Sequence, residues 1–147
     1  IGETMKKFII ILLITFGVTT IPTFFLDFNT NYLVKPALFP SKILFPIVWS
    51  ILYLLMTISL YITTRNNNKL YKIYSIQLIL NSLWSPIFFG FKLYLLSTII
   101  LILLIISVII MIYQMIMENK VAGYLQIPYL LWLLFALYLN LSIYLLN

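Results

Sequence analysis

The chain has 147 residues, 64% of them hydrophobic and 8% charged, with a formal net charge of +6 and a mean hydropathy of +1.14. A soluble domain carries roughly 25% charged residues, so too few polar side chains are present to cover a water-facing surface, and lipid must solvate most of the chain. Cysteine and histidine are both missing, which excludes disulfides, thiolate chemistry and the ordinary ligand sets for zinc, copper or haem iron; no metal site is expected. The carboxylates are Glu3, Asp27 and Glu118, each near the end of an apolar run. They offer neither a buried acid/base pair nor an ionisable group at mid-membrane. The positive charge lies between apolar runs and reads as a topology signal, not as nucleic-acid binding.

In chain order, Met5-Lys6-Lys7 reads as the natural start, with residues 1–4 as an appended remnant. The first apolar stretch covers 8–26. No small-x-small cleavage site ends it, so it is expected to stay as a helix and not to be removed as a signal peptide. Further stretches follow at 43–63, 71–91, 93–117 and 121–146. Each has roughly 19–26 residues, enough to cross a hydrocarbon core of about 30 Å. Arg65-Asn66-Asn67-Asn68-Lys69 separates the second and third, and Glu118-Asn119-Lys120 the fourth and fifth. Only a tight turn near Gly90 and Lys92 separates the third and fourth. A single helix there would hold about 47 residues at 1.5 Å each, too long for one crossing.

The connection at 27–42 is the only long one and holds Pro36, Pro40, Lys35 and Lys42. A loop of that length without regular structure is usually functional or disordered. Short connections elsewhere call for antiparallel neighbours. The fold class is therefore an all-α membrane protein: one domain over 1–147, a five-transmembrane-helix bundle with one long loop between helices one and two. Lys6, Lys7, Arg65, Lys69, Lys72 and Lys120 fall on one side, Lys35, Lys42 and Lys92 on the other. This bias puts the N-terminus in the cytoplasm.

Polar and aromatic residues recur at helical spacing. Asn81, Trp84, Ser85 and Phe88 share one face of the third helix. Trp49, Tyr53, Met56 and Leu60 form a stripe on the second; Pro128, Trp132, Phe135, Ala136, Leu139, Asn140 and Ile143 form one on the fifth. An amide in hydrocarbon needs a partner, so Asn81 and Asn140 are expected to face the interior. The stripes suit an aromatic cavity with a few amide handles for a flat apolar ligand; ordinary packing, interhelical hydrogen bonding and an interfacial aromatic belt account for the same pattern. Pro46 lies in the first turn of its helix, where a missing N–H costs little. Pro86 and Pro128 lie inside apolar stretches and are expected to kink them or free a carbonyl.

Lys35-Pro36-x3-Pro40, then Phe45-Pro46-x2-Trp49-x3-Tyr53-x2-Met56, resembles the first loop and second helix of the translocator protein family. That family includes the tryptophan-rich sensory proteins and the peripheral-type benzodiazepine receptor. Leu80-Asn81-x2-Trp84-Ser85-x2-Phe88-Phe89 resembles its third helix, and Pro128-Tyr129-x2-Trp132-x2-Phe135-Ala136-x2-Leu139-Asn140 its fifth, with Leu146-Asn147 like the end of that helix. The chain departs from the family at Leu38-Phe39-Pro40-Ser41, where Trp-x-Pro-Pro is usual, and at Asn29 and Thr30, where a Trp-Tyr pair is usual.

The resemblance implies a bacterial cell-membrane receptor or sensor with a pocket toward the long loop, lined by helices one, two, three and five. It implies porphyrins such as protoporphyrin, or other flat hydrophobic molecules, as ligands and not as cofactors, and a homodimer within the lipid bilayer. Carried over by motif, the pocket would use Pro40, Trp49, Tyr53, Asn81, Trp84, Phe88, Trp132, Phe135, Ala136 and Leu139. Trp49 and Trp132 match the pair associated with slow light-dependent porphyrin breakdown in bacterial relatives, which makes them the catalytic candidates. A small transporter of hydrophobic ligands and a non-catalytic assembly subunit are the alternatives.

Overall fold

The structure, a computed structural model, describes residues 2–65 and 67–147. Ile1, in the expected N-terminal remnant, and Asn66, in the second break, lie outside the described residues. Among the described residues six α-helices form: α1 (Gly2–Thr20), α2 (Leu44–Thr63), α3 (Leu70–Ser85), α4 (Tyr94–Glu118), α5 (Lys120–Tyr124) and α6 (Ile127–Leu146). No strand occurs among the described residues. Among the described residues four segments are long and apolar enough to cross a membrane: Gly2–Thr23, Leu44–Thr63, Tyr94–Glu118 and Lys120–Leu146. The third stretch is not among them, because α3 itself spans 16 residues and carries Lys72, Gln77 and Asn81.

Local chemistry explains where the helices end. The first stretch was expected to run to residue 26, but α1 stops at Thr20 and a 3-10 turn covers Ile21–Thr23. Thr19 Oγ1 donates to the Thr15 carbonyl (2.7 Å), Thr20 to Phe16, and Thr23 to Thr20 (2.6 Å). These hydroxyls take carbonyls that a continuing helix would use, and Pro22 has no N–H to supply. Pro86 opens a π-helical turn, Pro86–Gly90, closed by the Phe91 N–H on the Pro86 carbonyl (2.9 Å). The fifth stretch is broken at Leu125–Gln126, so Pro128 lies in the first turn of α6 and not in a helix interior. Proline cannot donate to the carbonyl of residue 124, and the chain kinks there. The Gln126 side chain then crosses to α2, donating to the Leu55 carbonyl (3.1 Å) and Ser59 Oγ (2.7 Å).

The fourth helix, apolar apart from Ser97, Thr98, Ser107, Gln114 and the terminal Glu118, is the centre of the bundle. It packs most extensively on α3 and α6, and Leu101, Leu104, Val108, Met111 and Met115 are all buried. Its outer face, including Ile99, Ile102, Ile106 and Ile109, is exposed, as expected of a surface whose solvent is lipid. Gly123 brings α5 tightly against α4: a Cβ there would sit 2.2 Å from Ile116 Cγ1 and 3.0 Å from its backbone nitrogen. Asn119 caps α5, its side chain accepting from the N–H groups of Val121 (2.9 Å) and Ala122 (3.2 Å). At the other end, α2 and α6 are bridged by aromatic side chains: Trp49 meets Trp132 edge-on at 6.4 Å and Tyr129 at 6.2 Å.

Candidate ligand-binding cavity

A cavity of about 720 Å³ opens beneath the 27–42 segment. The end of α1 contributes Thr19 and Thr20, and the 3-10 turn after it Thr23; α2 contributes Phe45, Pro46, Trp49, Ser50 and Tyr53. Asn81, Trp84 and Ser85 come from α3, Phe89 from the π turn, Leu101 and Leu104 from α4, and Leu133 and Ala136 from α6. The loop supplies Phe28–Asn31, Lys35 and Phe39–Lys42. The floor is aromatic, with Trp49 stacked on Tyr53 (5.5 Å, 25° between planes). Among the described lining residues there are two lysines and no carboxylate.

The helical period delivers the polar handles. Asn81 is 6% exposed and spans two helices: Oδ1 accepts from the Tyr53 hydroxyl (3.2 Å), and Nδ2 donates to Tyr129 (2.9 Å). Tyr129 passes the chain on by donating to Gln77 Oε1 (2.8 Å). Asn140 is also interior, but it ties α6 to α3 and α4. It accepts from Trp84 Nε1 (2.8 Å) and donates to the Tyr94 carbonyl (3.1 Å) and Thr98 Oγ1 (3.0 Å). An amide satisfied this way is cheap to bury, and each one fixes the tryptophan or tyrosine that the cavity uses.

Pro40, Trp49, Tyr53, Asn81, Trp84 and Ala136 line this cavity. Phe88, Trp132, Phe135 and Leu139 do not. Phe88 is buried with Leu33 and Ile143 and stacks on Trp84 (5.1 Å). Leu139 is buried in the bundle. Trp132 and Phe135 turn outward into a shallow apolar groove between α2 and α6, shared with Val48, Ile51, Leu52, Pro128 and Leu131. Trp132 therefore stands behind Trp49, and its buried Nε1 finds no hydrogen-bond partner among the described residues. The motif reading passes over Phe45, Phe89, Leu101, Leu104, Lys35 and Lys42 as lining residues. Phe45 lies one turn before Trp49 and was accessible from spacing; Leu101 and Leu104 belong to a uniformly apolar run that gives no signal.

Comparison with known proteins places the chain in a family. The TspO/MBR family model matches residues 8–146. The tryptophan-rich protein TspO of Archaeoglobus fulgidus is 41% identical, covering 77% of this chain and 76% of that protein. The protein of the same name from Chlorobaculum tepidum is 36% identical, covering 78% and 77%. Protein CrtK of Rhodobacter capsulatus is 34% identical, covering 77% and 74%. Four apolar spans, the three helix-borne motifs and these similarities lead to one conclusion: the chain is an integral membrane protein and belongs to the TspO/MBR family.

Proposed function

We propose that this protein is a membrane receptor for a porphyrin or similar flat hydrophobic molecule, bound in the cavity beneath the 27–42 loop. The carrying observation is the cavity itself: about 720 Å³, walled by Phe45, Trp49, Tyr53, Trp84 and Phe89, with Asn81 as a fixed amide. Ligand pockets of about 300–1,000 Å³ with mostly aromatic walls and few polar groups suit such molecules. Relatives named tryptophan-rich sensory protein, such as that of Cereibacter sphaeroides at 30% identity, support a sensing role. In this reading Leu70–Gly90 makes a fifth crossing, the N-terminus is cytoplasmic, and the protein works in a bacterial cell membrane as a homodimer. Titration of the purified chain with protoporphyrin, followed by tryptophan fluorescence, tests it. Trp49→Ala raises Kd about tenfold, the loss of one aromatic platform, while Trp132→Phe leaves Kd nearly unchanged. Saturable binding that ignores Trp49 sinks the site.

The contact between Trp49 and Trp132 favours a second reading, slow porphyrin photobreakdown. Trp49 would meet the excited ligand, with Trp132 behind it as a second indole. Loss of the porphyrin absorption band should then require light, oxygen and Trp49, and equal bleaching without protein removes the idea. Proton-coupled transport has less support, since every buried polar residue described is a neutral Thr, Ser, Asn, Gln or Tyr.

A further inference from the structure

The loop over the cavity has two faces. Asn29, Thr30, Asn31, Lys35 and Phe39 onward look into the cavity, whereas Val34 and Ala37 do not line it. Their backbone is held from α6. Asn147 Oδ1 accepts from the Val34 N–H (3.1 Å), and Asn147 Nδ2 donates back to the Val34 carbonyl (3.0 Å). The same Nδ2 also donates to the Ile143 carbonyl (2.9 Å), which fixes the amide on its helix. One turn-pair earlier on α6, the Tyr138 hydroxyl donates to the Ala37 carbonyl (2.8 Å). Just before the first tie, Leu33 is buried against Phe88 and Ile143. Beyond them, Leu38 takes a left-handed φ of 68°, a conformation a leucine holds only when its neighbours are fixed.

We propose that Asn147, assisted by Tyr138, is the latch that keeps the loop closed over the cavity, so that ligand entry and release both wait on its opening. The proposal rests on the cavity being the ligand site. Neither latch residue lines the cavity, so the latch contributes equally to the empty and the occupied closed states. A contact with no differential interaction cannot shift the binding equilibrium. Breaking it therefore speeds association and dissociation by the same factor. A residue acting inside the pocket would instead change Kd.

The test is stopped-flow quenching of tryptophan fluorescence by protoporphyrin, with the full chain in lipid nanodiscs, alongside amide hydrogen exchange over residues 33–38. Asn147→Ala removes both Val34 bonds and should raise both rates about tenfold, with Kd constant within about twofold. Tyr138→Phe, which keeps its ring, should raise both about threefold. Unchanged rates, or a change confined to one rate and so to Kd, overturn the latch. Failure of the wild-type chain to bind protoporphyrin overturns the proposed function instead, and exchange then decides the latch. Faster exchange in Asn147→Ala at the Leu33 amide, whose own acceptor is the Thr30 carbonyl (3.0 Å), supports it, and equal exchange there overturns it.

Discussion

The two ends of this bundle are built from similar residues and packed by opposite means. At the end holding the α4–α5 turn, helices touch closely and polar side chains find each other. Gly123 lets α5 lie on Ile116. Ser59 donates to the Ala122 carbonyl (2.9 Å), and Gln126 reaches Ser59 (2.7 Å). At the loop end, a π turn, a 3-10 turn and an aromatic spacer between α2 and α6 hold the helices apart, and a cavity remains. The difference teaches that in lipid, where apolar burial does little to draw helices together, the smallest side chains decide where backbones meet. Bulky rings decide where they do not.

The comparison can be broken most severely at Gly123. Gly123→Leu drives a side chain into Ile116 and its backbone, and overpacking of this kind costs about 1–3 kcal/mol or more. A large fall in thermal midpoint in detergent should follow, with protoporphyrin affinity lost only as the fold is lost. The opposite end responds differently. Asn81→Leu removes a partner from both Tyr53 and Tyr129; interhelical bonds of this type are worth about 1 kcal/mol. Thermal stability should drop modestly, while ligand affinity falls by more than the stability change accounts for. That split is measured by pairing melting curves with fluorescence titration. The smallest effect is expected at Asn119. Asn119→Ala loses the cap of α5 at about 1 kcal/mol or less, lowering the melting midpoint slightly and leaving ligand binding untouched. Equal responses at both ends would remove the distinction between a packed end and an open one.

Much of this was written in the chain order. The apolar runs located the membrane helices because length and hydropathy are local properties, and α2 and α4 match their expected stretches within one residue at each end. The interior positions of Asn81 and Asn140 followed from the cost of burying an amide in hydrocarbon. Spacing was less able to separate one face of a stripe from its flank. Trp132 and Ala136 lie one turn apart on α6, yet Ala136 lines the cavity and Trp132 looks into the outer groove. A rotation of the helix by a fraction of a turn separates the two outcomes, and spacing alone does not fix it.

The sequence by itself determined the solvent of this protein, the number of its apolar runs and the faces on which its amides and indoles stand, because those depend on composition and on the 3.6-residue period. Tertiary structure alone decided which of those faces enclose space. It put Leu101 and Leu104 of a featureless helix into the cavity wall, set Trp132 behind Trp49, and brought Asn147 onto Val34 across 113 residues of chain. Each depends on how helices rotate and cross, which is fixed by long-range contacts among side chains that no local pattern contains.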